Sequence, residues 1–214
     1  MILALMRREF RAHRIFFRIS CTTGILLILY LNWVVKKRLP GSDPYPLLDQ
    51  FFMAVLFLVS LIFGFLLAIS QISTDTKTQT EAFLLHRPVS RNVLYGAKFI
   101  AGMCLYLATT PLVYVLYVLW TSTPRGHFGP FRWEMAYPGL THILSGLILY
   151  SATLWAASSQ KRERVPAYLS VFAALGLAIW YTNAGWPIWS EALDGCAIFL
   201  FFCGGRRSYQ EREI

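Results

Sequence analysis

Five long intervals without a formal charge limit what this chain can fold into. They run Ile19–Val35, Gln50–Thr74, Phe99–Pro124, Met135–Gln160 and Val165–Ser190, with lengths of 17, 25, 26, 26 and 26 residues. A helix crosses the roughly 30 Å hydrocarbon core of a bilayer in about 20 apolar residues. Backbone polar groups in lipid must be satisfied within the chain, so each interval is expected to be helical. The first is slightly short, and Arg18 and Lys36 can snorkel from its ends to the headgroups. Only 14% of the residues are charged, against roughly 25% in soluble domains. The expected fold is all-α and polytopic, a single transmembrane domain spanning residues 1–214.

A sixth crossing rests on less. Near the end only Gly195–Gly205, 11 residues, is free of charge, with Glu191 and Asp194 just upstream. Extended back to Trp186 it is long enough, provided both acids lie at the outer interface. At the bilayer centre each would cost about 2.5–3.5 kcal/mol on insertion scales. The alternative is a re-entrant hairpin around Asn183-Ala184-Gly185-Trp186-Pro187, covered by protein or water. The expected spans are 19–37, 50–72, 97–121, 137–159, 165–182 and 187–204.

The net charge of +9 is distributed as a topology signal, not as a nucleic-acid footprint. With six spans and both termini cytoplasmic, inner segments hold 15 of the 20 Lys and Arg residues and outer segments 5. Five spans would give 12 and 8. Excess basic charge belongs on the cytoplasmic side, so six spans are preferred and no nucleic-acid partner is expected. The outer loops contain breaker clusters (Pro40, Gly41, Pro44, Pro46; Pro124, Gly126, Gly129, Pro130), and their aromatics Phe128, Phe131 and Trp133 suit an interfacial belt.

Residues 1–18 are expected to form a helix lying on the inner surface. Arg7, Arg11, Arg14 and Arg18 follow helical spacing on one stripe, and Ile2, Leu5, Met6, Phe10, Phe16 and Phe17 fall largely elsewhere. An ordinary cytoplasmic start, whose arginines only set orientation, reads equally well. A cleavable signal peptide is not expected, because the apolar residues precede the arginines. Cys21, Cys104, Cys196 and Cys203 read as small hydrophobes. His13 and His86 are expected at the surface, His127 in an outer loop and His142 at the interface.

Between the second and third spans lies a segment, 75–91, with unusual local chemistry. Thr78 and Glu81 fit a capping box at the start of a short helix carrying Phe83, Leu84 and Leu85. Arg87 precedes Pro88, which ends the helix near His86 or Arg87. Ser90 is then placed to cap the third span, with Arg91 and Lys98 holding its base at the headgroups. A push on the short helix would pass to the third span with little slack. An inner loop that happens to be capped, basic and proline-bearing reads the same way.

The stretch from Glu81 through Phe83-Leu84-Leu85 and Pro88-Val89-Ser90-Arg91 to Lys98 resembles the signature of ABC-2-type export permeases. The basic start Leu5-Met6-Arg7-Arg8-Glu9-Phe10-Arg11 and the six-span layout add to the resemblance. It implies that Glu81–Arg87 is a coupling helix seated in an ATPase subunit, with Glu81, Phe83, Leu84, Leu85, Arg87, Pro88, Ser90 and Arg91 as docking residues. It also implies outer re-entrant helices around Asn183–Asp194. The implied assembly is a homodimer, or a pair with a second permease, plus two ATPase subunits in a bacterial inner membrane. No cofactor is expected in this chain; ATP would sit on the partner.

Rival chemistries leave fewer marks. No Gly-x-x-x-x-Gly-Lys-[Ser/Thr] loop occurs, so the chain carries no such nucleotide site. Arg87-Pro88 lacks the Lys and His partners of a membrane lipid phosphatase, and no His-Glu-x-x-His sequence occurs. No Asp, Glu, Lys or Arg lies mid-span in the first five intervals, which argues against an ion-coupled carrier. The expectation is a non-enzymatic transport subunit. The alternative is a non-transporting polytopic protein, either an assembly factor or an intramembrane enzyme with an unrecognised site.

Overall fold

A computed structural model describes residues 2–38, 50–77, 90–123, 131–159, 164–184 and 190–210. Every regular element among them is helical. The order is α1 (Ile2–Ala12), α2 (Arg14–Arg38), α3 (Gln50–Lys77), α4 (Arg91–Leu107), α5 (Thr110–Thr121), a 3₁₀ turn (Trp133–Ala136), α6 (Tyr137–Ser158), α7 (Arg164–Ala184) and α8 (Ser190–Gln210). Three units among the described residues are long and apolar enough to cross a membrane: Phe52–Thr74, Arg91–Thr121 and Trp133–Ser158. Counting the bent α1–α2 pair as one span makes four. The chain is an integral membrane protein.

Two boundaries differ from expectation. The surface helix predicted over 1–18 stops at Ala12; Arg14 and Arg18 already belong to α2, and the two helices meet at 62°. Arg7, Arg11, Arg14 and Arg18 are all exposed but are divided between the two helices, while α1 packs on α4 and Glu9 is buried. His13, expected at the surface, is buried inside the elbow at 3% exposure. The third span, predicted as one helix over 97–121, is broken between α4 and α5 at Ala108 and Thr109. Pro111 explains the break: it has no N–H, and its ring clashes with the carbonyl four residues back. Thr109 leaves helical geometry (φ −102°, ψ −103°), and its hydroxyl donates to the Tyr106 carbonyl at 2.6 Å.

Helix α6 is the centre of the bundle. It is buried along nearly all its length and packs most extensively on α3, α7 and α8. Small residues permit the closest approach: a Cβ on Gly64 would strike the Gly146 carbonyl, and one on Gly146 would strike the Ser60 carbonyl and the Tyr106 hydroxyl. Three buried serine hydroxyls are satisfied along their own helices, with Ser60 donating to Leu56, Ser145 to Thr141 and Ser151 to Leu147. Such residues let membrane helices pack without orphaned polar groups. Buried tyrosines extend the pattern between helices: the Tyr106 hydroxyl donates to the Ile143 carbonyl (2.6 Å) and the Tyr114 hydroxyl to the Ala136 carbonyl (3.0 Å).

Candidate coupling site

Six of the sequence-predicted docking residues, Glu81, Phe83, Leu84, Leu85, Arg87 and Pro88, lie outside the described residues, as does the capping box at Thr78. The structure describes where that segment delivers the chain. Ser90 is extended (φ −62°, ψ 138°), and its carbonyl accepts from the N–H groups of Val93 (3.0 Å) and Leu94 (3.2 Å). It therefore occupies the cap position of α4, but its side chain makes no capping hydrogen bond, contrary to the expected role. Helix α4 begins at the very next residue.

Arg91 turns back onto the chain. Its Nη1 donates to the carbonyl of Gln210, the last residue of α8, at 2.9 Å. A guanidinium at a helix C-terminus satisfies an orphan carbonyl and complements the negative end of the macrodipole. Lys98, predicted to reach the headgroups, is instead 6% exposed, because helices α1, α3 and α8 pack on α4. Lys98's carbonyl accepts from Gln71 Nε2 of α3 at 3.3 Å.

Gln71 is completely buried and is the hub of a network not anticipated from the sequence. Its Oε1 accepts from the Tyr150 hydroxyl of α6 at 2.9 Å, and that hydroxyl also lies 3.3 Å from the Phe99 carbonyl of α4. Three helices are thus joined through one amide. The available signal was an amide near the end of an otherwise apolar span, where an unsatisfied polar group is costly. A second cluster holds the elbow. His13 Nε2 lies 3.7 Å from Glu9 Oε2, and its Nδ1 lies 3.5 Å from the hydroxyl of Ser70 on α3. The start of α4 is therefore braced against α3, α6 and α8, and α3 in turn meets the elbow.

This arrangement can bear load. No group of three or more His, Cys, Asp or Glu residues that could hold a metal occurs among the described residues. The four cysteines are free, with Cys104, Cys196 and Cys203 exposed on helix surfaces. His142, expected at the interface, sits edge-on to Phe57 with ring centres 5.4 Å apart. An apolar pocket of 310 Å³ lies between α5, the 3₁₀ turn and α6, lined by Tyr114, Val118, Leu119, Trp133, Tyr137 and Leu140 among others. Trp133 and Tyr137 are both more than half exposed at its mouth, in keeping with aromatic residues at a membrane–water boundary. On α2, Lys37 Nζ lies 5.0 Å above the Trp33 ring, a cation–π contact.

Comparison with known proteins adds one match. The family model described as ABC-2 family transporter protein covers residues 8–178. No curated protein and no solved structure matches the chain.

Proposed function

The chain belongs to the ABC-2 family of transporter membrane proteins, and from that premise we propose that it is the permease subunit of an ATP-driven export system. A separate ATPase subunit supplies the energy and docks on the 78–91 segment. The permease works as a homodimer or beside a second permease, and no residue of this chain performs covalent chemistry. ATP stays on the partner. Both termini are cytoplasmic and the chain crosses six times, with α7 and α8 as the fifth and sixth spans.

One observation carries the reading beyond the family match. The helix that follows the docking segment begins at Arg91, directly after Ser90, and is tied within its first turns to α3, α6 and α8. A short helix moved by ATP-driven closure of the ATPase would displace this braced bundle, not an isolated span. Rocking of packed helices then changes access to the two sides of the membrane.

The test is co-purification. Phe83→Asp and Leu84→Asp each place a carboxylate on the apolar face proposed to enter the ATPase. Each should reduce recovery of the ATPase with the permease at least tenfold while membrane insertion stays normal. Wild-type recovery with both variants would refute docking through this segment.

A further inference from the structure

Gly204 and Gly205 interrupt α8 two turns before its end, at a helix-propensity cost of about 1 kcal/mol each relative to Ala. Neighbouring residues on a helix point about 100° apart, so the pair opens two sides of the backbone at one level. Trp155 of α6 fills one: a Cβ on Gly204 would strike its indole ring. Tyr95 of α4 fills the other, its hydroxyl packed against Gly205. The following turn repeats the arrangement with polar contacts. Trp155 Nε1 donates to Ser208 Oγ at 3.0 Å, and Arg91 donates to the Gln210 carbonyl at 2.9 Å. Aromatic packing closes the α4 side, where Tyr95 lies 5.7 Å from Tyr209 and 5.8 Å from Phe202 between ring centres.

Helices α4 and α6 meet directly through Phe99 and Tyr150 and through Tyr106 and Ile143, whereas Arg91 and Tyr95 nearer the start of α4 and Trp155 near the end of α6 both lie against α8. We infer that the last two turns of α8 are a splint that carries displacement of the first turn of α4 to the central helix α6. Arg91 and Trp155 are the positioning residues at its two ends. This rests on the reading that a partner ATPase drives the chain at 78–91, and it gives Arg91 an internal role in place of contact with that partner. A hydrogen bond alone would be a weak strut. Here two hydrogen bonds and two ring-on-glycine contacts act within two turns, so the splint resists both sliding and rotation.

Hydrogen exchange on the permease–ATPase complex in lipid nanodiscs, with and without ATP and vanadate, tests this. In the wild type, the peptides covering 90–94 and 154–159 should both change exchange rate when nucleotide is trapped. The double variant Arg91→Ala/Trp155→Phe removes both hydrogen bonds while leaving an aromatic against Gly204. It should keep the change at 90–94 and reduce the change at 154–159 at least threefold. Arg91→Lys alone, which keeps a donor for Gln210, should retain the 154–159 response within a factor of two. Trp155→Phe alone preserves the packing and should give a partial loss, which keeps the test decisive if the double variant is unstable. A 154–159 response undiminished in both Trp155→Phe and the double variant overturns the splint and leaves the docking reading intact. A wild-type complex with no response at 90–94 overturns drive through 78–91 and the splint with it.

Discussion

At the scale of single residues, glycine decides where this bundle can close. Gly64 and Gly146 lie where α3 and α6 come nearest, and each admits backbone from the other helix where any side chain would collide. Membrane helices gain no hydrophobic drive from meeting one another, so such close packing carries much of the association. Gly176 on α7 is the natural control: it is exposed, and a Cβ there meets nothing within 4 Å. Gly146→Ala should destabilise the protein by about 1–3 kcal/mol, the usual cost of overpacking. Gly176→Ala should be neutral or stabilise by up to about 1 kcal/mol through helix propensity. Thermal unfolding of both variants in one detergent checks the contrast; equal effects would mean that the α3–α6 contact does not limit stability.

At the scale of elements, much of the helix pattern was legible and the joints were not. Freedom from charge predicted 50–72, 137–159 and 165–182, and the helices run Gln50–Lys77, Tyr137–Ser158 and Arg164–Ala184. Counting charge cannot register a change of direction inside an apolar interval, so the break at Ala108–Thr109 went unread although Pro111 marked it. The elbow at His13 had no such marker. Lys98 shows a second limit. Snorkelling is a property of one helix at an interface, whereas the burial of Lys98 follows from which neighbours pack on α4. Pairing information of that kind is absent from a single helix's periodicity. Gln71 and Tyr150 were invisible for the same reason, since an amide and a phenol 79 residues apart acquire meaning only when three helices meet. Ser90 was legible in position but not in role. Loss of a working cap costs about 0.5–2 kcal/mol, yet the Ser90 side chain makes no cap bond. Ser90→Ala should therefore change stability by less than about 0.5 kcal/mol, and a larger loss in thermal unfolding would show that the hydroxyl does cap α4.

At the scale of the whole molecule, two side-chain contacts bear on how often the chain crosses. Arg91 opens α4 and Gln210 closes α8, and a 2.9 Å hydrogen bond joins them. Trp155, near the end of α6, donates to Ser208 in the same last turn. The start of α4, the end of α6 and the end of α8 therefore share one side of the bundle. On the proposed topology, α8 finishes where α6 finished because α7 and α8 leave and return together, either as two crossings or as a re-entrant pair. A five-span arrangement would put Gln210 across the membrane from Arg91 and break both contacts. Charge bias supports the same arrangement, because the C-terminal Arg206, Arg207 and Arg212 then join the cytoplasmic majority. With the four native cysteines replaced by alanine, Ser90→Cys and Gln210→Cys each provide a thiol at an exposed position. A membrane-impermeant maleimide should label neither in intact cells and both in inverted vesicles. Labelling of Gln210→Cys from outside, with Ser90→Cys still protected, would leave an odd number of crossings between them and rule out the α4–α8 contact in the membrane.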